Sequence, residues 1–206
     1  SFTRKSDYWV LCGPKPPWLK TQVPAYARMM LGQFEITALA AGVIDMNTKL
    51  MRNASEENLN KQLNRYFTDP ANAKAAVNSY LINTGSKLVL VDPGAGTMFG
   101  PALGKLAINM KAAGYDPSQV DAVLITHMHV DHIGGLIDAG GKPAFPKATV
   151  YVSKEESDFW LSKSEAEKVP VEMRKYFTMA QKAAEPYIAA NKWKTFEGGD
   201  LPVPGI

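Results

Sequence analysis

Cysteine is nearly absent from this chain of 206 residues, and that absence excludes two kinds of structure. With Cys12 as its single cysteine, the chain forms no internal disulfide and no thiolate metal cluster of the zinc-finger kind. The compartment stays open, because many exported bacterial proteins also lack disulfides. The chain begins at Ser1 instead of Met, which is compatible with a removed leader or with a missing start.

Long apolar runs and a marked excess of one charge are lacking as well. The longest apolar run, residues 87–91, has the length of a strand and is far too short to cross a bilayer. The formal net charge is only +3, and the Lys and Arg residues are scattered along the chain. We therefore predict neither a membrane-spanning segment nor a nucleic-acid-binding surface.

What the chain does contain is an alternation of strand and helix patterns after a proline-rich start. Residues 1–24 hold four prolines and are predicted to form an irregular N-terminal arm, whereas residues 25–206 are long enough for one core. Apolar runs and alternation predict strands at 34–39, 76–83, 87–91, 121–126 and 149–152. Helical stripes and caps predict helices at 55–67, 101–113, 155–161 and 171–191. This alternation indicates a layered α/β or α+β fold.

Metal-ligating residue types are concentrated in one short segment. All three histidines, His127, His129 and His132, lie within six residues of each other, together with Asp131. In an extended loop, residues i and i+2 point the same way, so His127 and His129 can bind one metal together. Asp131 and His132 follow where a helix is expected to begin and project elsewhere, which suits two neighbouring metals better than one.

The surrounding residues fit this interpretation. Met128 and Val130 are expected to face the apolar side and anchor the loop, and Gly134-Gly135 lets the backbone pass close to the site. Imidazole and carboxylate ligands suit Zn, Mn, Fe or Co without a strong preference. The alternative is that the histidines are surface or satisfied core residues, as a lone histidine usually is, but their clustering favours metal binding.

The segment from His127 to His132 resembles the His-x-His-x-Asp-His motif of the metallo-β-lactamase fold. Flanking residues are similar to the methyl parathion hydrolase branch of that superfamily, at 20–24, 76–85, 87–96, 99–101, 114–115, 145–152 and 159–161. The resemblance implies an α+β fold, a four-layer αββα sandwich, present in this chain mainly as its N-terminal half. It also implies two divalent metal ions, zinc first among them, and attack by a metal-bridging hydroxide on an ester, a lactone or an organophosphate triester.

Residue roles follow from the same resemblance. His127 and His129 would bind the first metal and Asp131 and His132 the second, with Asp131 as the candidate catalytic residue. Asp92 matches an acidic residue that steadies the metal-binding loop through hydrogen bonds, and a strand-terminating Asp in a turn is the compatible alternative. The positions that match the aromatic leaving-group pocket of parathion-hydrolysing members, each of which taken alone could be a core residue, are Phe99, Trp160 and Phe177.

The ligand set is incomplete by the standard of this family. The chain contains no further histidine, so the later ligands that the resemblance implies have no counterpart, and one sheet would expose an apolar face. Three explanations stay open: a longer polypeptide, a second chain that supplies the missing half, or a chain that forms a homodimer or swaps segments. We predict that the isolated chain binds metal weakly and hydrolyses esters no faster than buffer.

Two other function classes stay open beside the hydrolase of esters, lactones or phosphotriesters. One is a non-catalytic metal-binding or assembly module, and the other is a β-lactam hydrolase, which the flanking similarity favours less. The expected partner is a small-molecule substrate, with neither nucleic acid nor a membrane. The resemblance favours a periplasmic or secreted protein, with the cytoplasm as the alternative.

Overall fold

The structure, a computed structural model, describes residues 2–5, 8–11, 24–46, 48, 51, 53–100, 102–198 and 203. Near the N-terminus, strands β1 (Phe2–Lys5) and β2 (Tyr8–Leu11) pair in an antiparallel hairpin. The prediction that 1–24 is irregular throughout was therefore wrong for these two segments. The prolines begin only at Pro14, beyond the hairpin, so they do not constrain its backbone. Residues 12–23 of the predicted arm lie outside the described residues.

Among the described residues, seven further strands form one sheet whose spatial order follows the chain. They are β3 (Tyr26–Leu31), β4 (Phe34–Asp45), β5 (Lys74–Asn83), β6 (Leu88–Val91), β7 (Ala122–Leu124), β8 (Thr149–Ser153) and β9 (Trp193–Phe196). Strands β3 to β6 are antiparallel neighbours, whereas β6 to β9 run parallel. Val91 stands opposite Leu124, so the residues that follow β6 and β7 emerge side by side.

Helices occupy the connections between the parallel strands, because such strands need a crossover. α1 (Glu56–Arg65) precedes β5, and α2 (Leu106–Ala112) joins β6 to β7. A short helix, α3 (Val130–Ile133), follows β7. Between β8 and β9 lie α4 (Lys154–Trp160), α5 (Lys163–Lys168) and α6 (Val171–Ala189).

Most predicted elements are confirmed, and the differences have local causes. The predicted strands correspond to β4–β8 and the predicted helices to α1, α2, α4 and α6, with Ser55 capping α1 through the N–H of Asn58. The helix predicted at 101–113 begins only at Leu106, since Gly104 disfavours an earlier start. β3, β9 and α5 were not predicted; the sequence of β3, Tyr-Ala-Arg-Met-Met-Leu, does not alternate between apolar and polar residues, and all six are exposed.

The helices cover one face of the sheet and form the main core with it. Leu90 and Val123 of the central strands belong to the same buried cluster as Met110 of α2 and Tyr187 of α6. Tyr187 also ties α6 to the loop beyond α3, because its hydroxyl donates to the Leu136 carbonyl at 2.9 Å. This hydrogen bond therefore connects α6 with the segment that follows α3.

The opposite face of the sheet has a smaller apolar cluster. Val89, Leu124 and Val203 are buried there, together with Ala122. Further out on the same face, Met29 of β3 is 59% exposed. In the part of the chain that the structure describes, the buried apolar residues of this face lie near the centre of the sheet.

A mixed sheet with helices between its parallel strands is an α+β arrangement, which confirms the predicted fold class. No helix within the described ranges combines the length and apolar character needed to cross a membrane.

Candidate metal centre

The predicted ligands lie where β7 ends and α3 begins, in residues 126–132, here called the ligand segment. His129 is the N-cap of α3 with extended backbone angles, so His127 and His129 sit on an extended stretch and the other two on the first helical turn. Met128 is fully buried and Val130 is 3% exposed, which confirms their predicted anchoring role. His127, Asp131 and His132 are half-buried and His129 is exposed, so the cluster is accessible from solvent.

The three imidazoles form one tight group. The ring centroids of His127 and His129 are 4.7 Å apart, and those of His127 and His132 are 3.9 Å apart. Nε2 of His132 lies 3.4 Å from Oδ2 of Asp131. The structure therefore brings all four predicted ligands together at the carboxyl ends of parallel strands, the usual place for a ligand site in such sheets.

Asp92 follows β6 and connects it to the ligand segment. Its Oδ1 accepts a hydrogen bond from the Thr126 N–H at 2.9 Å, and its Oδ2 accepts from the Thr126 hydroxyl at 2.7 Å. The same Oδ2 lies 2.9 Å from Nδ1 of His132. Asp92 is 7% exposed and adopts a left-handed backbone, with φ of 51°, a conformation that Asp tolerates better than most residues.

These contacts also set the tautomer of His127. Oγ1 of Thr126 lies 3.0 Å from Nδ1 of His127 and already donates its one proton to Asp92. Nδ1 of His127 must then carry the hydrogen and donate it to Thr126, which leaves the lone pair on Nε2. A nitrogen held in this way is the pattern of metal-ligating histidines, whose other ring nitrogen is engaged by a neighbouring group.

The charges in the cluster are strongly coupled. Hydrogen bonds to Asp131 first and then to Asp92 raise the pKa of His132 to about 9. The hydrogen bond with His132 lowers the pKa of Asp131, which keeps this carboxylate ionised. Burial, reinforced by the charges of His132 and His129, lowers the pKa of His127, so this imidazole is neutral and able to act as a ligand.

The donor chemistry suits divalent metals, but the arrangement is only part of a coordination shell. Across the residues that the structure describes, no group of three or more His, Cys, Asp or Glu side chains is placed to hold a metal ion. His132 contributes to this, since both of its nitrogens are directed at carboxylates. A metal at Nε2 of His132 would replace the proton shared with Asp131, while the Nδ1 contact with Asp92 is retained.

The predicted aromatic residues fall into two groups. Trp160 contacts His129 edge to face, with ring centroids 5.5 Å apart, and packs 4.6 Å from Phe177. Phe177 is 3% exposed and belongs to the main core. Phe99 is 44% exposed and lies 6.4 Å from the ring of Tyr176. Of the three, Phe99 is the one with a surface that a ligand can reach.

Two contacts of the ligand segment were not predicted. Thr126 links Asp92 to His127, and Glu156 of α4 accepts a hydrogen bond from the Met128 N–H at 2.7 Å. The position of Thr126 directly before the motif was a usable signal. Glu156 carried no such signal, because its local sequence indicates only a helix-capping residue.

The mixed sheet and the histidine–aspartate cluster beyond the ends of its parallel strands can be compared with known proteins. The sequence profile of the metallo-beta-lactamase superfamily matches residues 74–204, more than half of the chain. The chain belongs to this superfamily.

Solved structures agree with this assignment. The crystal structure of the hydrolase AbOPH, of the beta lactamase superfamily, aligns with a TM-score of 0.83 and 36% identity, over 88% of this chain and 64% of that one. AidC, a dizinc quorum-quenching lactonase in complex with a product, aligns with a TM-score of 0.77 and 24% identity, over 86% of this chain and 63% of that one. The second likeness shows the fold alone.

Among curated proteins, a ribonuclease from Thermus thermophilus is 45% identical over 58 residues, which make up 28% of this chain and 12% of the ribonuclease. The chain thus spans less than two thirds of each of these relatives. The named relatives are all hydrolases, whereas the predicted methyl parathion hydrolase branch stays a prediction.

Proposed function

We propose that this chain carries the metal-binding segment of a binuclear hydrolase that cleaves lactones, carboxyl esters or organophosphate triesters, with zinc as the first expectation for both metals. The observation that carries the proposal is the convergence of His127, His129, Asp131 and His132 beside the Asp92 carboxylate. When bound, divalent metals supply a hydroxide nucleophile at neutral pH and neutralise charge on the reacting oxygens.

The chain's own residues have distinct roles in this proposal. His127 and His129 would hold one metal, and Asp131 and His132 the other. Asp92 orients His132 through Nδ1, and Thr126 orients His127 in the same way. These outer contacts engage Nδ1 of both rings, so Nε2 is the nitrogen of each that would bind a metal, and they reduce the cost of ordering the ligands.

Two observations support a small organic substrate. The exposed ring of Phe99, beside Tyr176, suits a flat, apolar leaving group. The similarity of the flanking segments to parathion-hydrolysing enzymes favours ester-like substrates over β-lactams.

Metal analysis and a substrate panel test the proposal. The purified chain is equilibrated with Zn²⁺ and its metal content measured, beside the variants His127→Ala and Asp131→Ala and the control Asp158→Asn, an exposed carboxylate on α4. We expect weak metal binding by the isolated chain and about two equivalents in a polypeptide that completes the site, with a clear loss in both ligand variants but not in the control.

The hydrolysis assay uses a lactone, an aryl ester, a phosphotriester and a β-lactam. The intact mass of the polypeptide from its natural source is first compared with the 22.5 kDa of this chain. If the two masses differ, the polypeptide from the natural source is the one assayed. Metal-dependent turnover of one of the first three, abolished in Asp131→Ala, supports the proposal. Turnover of the β-lactam alone would contradict the substrate class.

The second candidate is a non-catalytic metal-binding or assembly module. The observation in its favour is the partial coordination shell: the described residues hold no preformed group of three or more metal ligands. Metal binding by the polypeptide from the natural source, without turnover of any substrate in the panel, would favour this module over the hydrolase.

A further inference from the structure

Helix α4 begins with a sequence that ordinarily caps its own N-terminus. Ser153 is the N-cap, and its hydroxyl accepts a hydrogen bond from the Glu156 N–H at 3.2 Å. A Glu three residues after a Ser N-cap typically completes a capping box by turning its carboxylate back to the N-cap N–H. Here Oε2 of Glu156 accepts a hydrogen bond from the Met128 N–H at 2.7 Å, 28 residues earlier in the chain. The carboxylate therefore accepts a hydrogen bond from the ligand segment.

The Met128 N–H is a donor that needs such an acceptor. Met128 is fully buried, and a buried N–H without a partner is costly. A carboxylate gives it a charge-assisted bond, roughly twice as strong as a neutral one. Because this peptide joins His127 to Met128, its orientation sets where the imidazoles of His127 and His129 stand relative to each other.

One turn further on, α4 makes a second contact with the same histidine pair. Trp160 follows Glu156 by four residues, so both side chains lie on one face of the helix. The Trp160 ring meets the ring of His129 at 88° and is itself 9% exposed. Phe177 of α6 packs behind it at 4.6 Å, so His129 is backed by a rigid aromatic layer.

We propose that Glu156 is a positioning residue. Through its hydrogen bond to Met128, and with Trp160 as the second contact, α4 fixes the positions of His127 and His129 relative to each other. The consequence for metal binding rests on the proposed function. Glu156 is not one of the proposed metal ligands, so its removal should change the geometry and affinity of the site through the backbone of the ligand segment.

Three variants of the chain test this role. Glu156→Ala removes the acceptor, and Glu156→Gln keeps an amide oxygen that can still accept from Met128. Glu155→Ala is the matched control, because Glu155 is exposed and lies in the same first turn of α4. It removes the same charge from the helix N-terminus without touching the ligand segment.

Two measurements are made on each variant. Hydrogen exchange of the Met128 amide, followed by NMR in the metal-free chain, reports the contact itself. Co²⁺ affinity by chelator competition, with the visible Co²⁺ spectrum, reports the geometry of the histidine pair. A thermal unfolding scan accompanies both, so that a loss of global stability is recognised, and the Gln variant provides the comparison if Glu156→Ala folds poorly.

We expect Glu156→Ala to exchange the Met128 amide about tenfold faster and to bind Co²⁺ about 10- to 100-fold more weakly, with an altered spectrum. Glu156→Gln should stay close to the unmodified chain in both measurements, because its amide oxygen still accepts the hydrogen bond. Glu155→Ala should match the unmodified chain. Equal exchange and equal Co²⁺ affinity in Glu156→Ala and Glu155→Ala would overturn the inference. If neither the unmodified chain nor the polypeptide from the natural source binds Co²⁺, the proposed function fails, and the exchange rate of the Met128 amide alone decides the role of Glu156.

Discussion

Oδ2 of Asp92 lies 2.9 Å from Nδ1 of His132, 40 residues further along the chain. This contact joins the end of β6 to the first turn of α3, and the same oxygen accepts a hydrogen bond from Thr126 at 2.7 Å. One carboxylate thus orients the backbone at the start of the ligand segment and an imidazole at its end.

Replacing Asp92 by Asn keeps the shape of this side chain and removes its charge. We expect metal affinity to fall by about 10- to 100-fold, since outer-shell partners of ligating histidines typically contribute this much. Because Asp92 helps to raise the pKa of His132, that pKa should also fall in the metal-free variant. Chelator competition and an NMR titration of His132 measure the two effects. An unchanged affinity, matching that of the Asp158→Asn control, would contradict the role given to Asp92.

Gly135 allows the chain after α3 to pass directly over the loop that follows Asp92. A Cβ on Gly135 would overlap the carbonyl oxygen of Pro93, and the Gly135 N–H already donates to Gly94 at 2.8 Å. We expect Gly135→Ala to lower the free energy of unfolding by about 3 kcal/mol, because backbone must move to admit the methyl group. In Gly198→Ala the added methyl meets nothing within 4 Å, so the change should stay within about 0.5 kcal/mol. Urea unfolding of both variants measures the difference, and equal stabilities would refute the steric argument.

Variants of Phe177 and Phe99 should distinguish a residue that packs in the core from one that can contact a substrate. Phe177 is 3% exposed against Trp160, so Phe177→Ala should cost about 3–5 kcal/mol of stability. Phe99 is 44% exposed, so Phe99→Ala should leave stability within about 0.5 kcal/mol. If Phe99 lines the pocket, its variant raises KM for aryl substrates and leaves small lactones unaffected. Thermal unfolding and paired kinetics decide between these outcomes; a destabilised Phe99→Ala would place that residue in the core.

Asp121 gives the fold a pH dependence away from the metal centre. Burial by itself would raise the pKa of this carboxyl, but hydrogen bonds from Lys147 at 2.7 Å and from the Leu88 N–H at 2.9 Å, with the Lys87 charge, lower it overall. A lowered pKa means that the stabilisation is present above the ordinary value of 3.8 and is lost as the pH falls through the folded-state pKa.

We therefore expect Asp121→Asn to be less stable than the unmodified chain by about 1 kcal/mol at neutral pH, the difference between a charged and a neutral hydrogen bond. The gap should narrow as the pH falls below 3.8 and close below the lower folded-state pKa, where both side chains are neutral. Urea unfolding across this pH range measures the gap. A constant gap would mean that the ion pair with Lys147 contributes nothing.

The amino-acid sequence by itself determined the ligand segment and the main strands. His127, His129, Asp131 and His132 are neighbours in the chain, so local backbone periodicity was enough to predict that they act together. The strands were predictable for the same reason, since an apolar run such as 87–91 is a property of adjacent residues. β3 carried no such pattern. The four prolines led to the prediction of an irregular arm over residues 1–24, so the hairpin that precedes them was missed.

The family resemblance indicated Asp92 as a support of that segment, but only the tertiary structure shows the hydrogen-bond partners of Asp92 and the contribution of Glu156. The parallel register of β6 and β7 places Asp92 beside Thr126 and His132, and no local pattern encodes a pairing across 40 residues. Glu156 shows the contrast most clearly, because its local sequence predicts a helix cap whereas packing of α4 directs its carboxylate to Met128. Burial likewise separated Phe177 from Phe99, two residues of the same type. Covalent neighbours determine a residue's backbone tendencies, but its through-space neighbours determine what its side chain can bind.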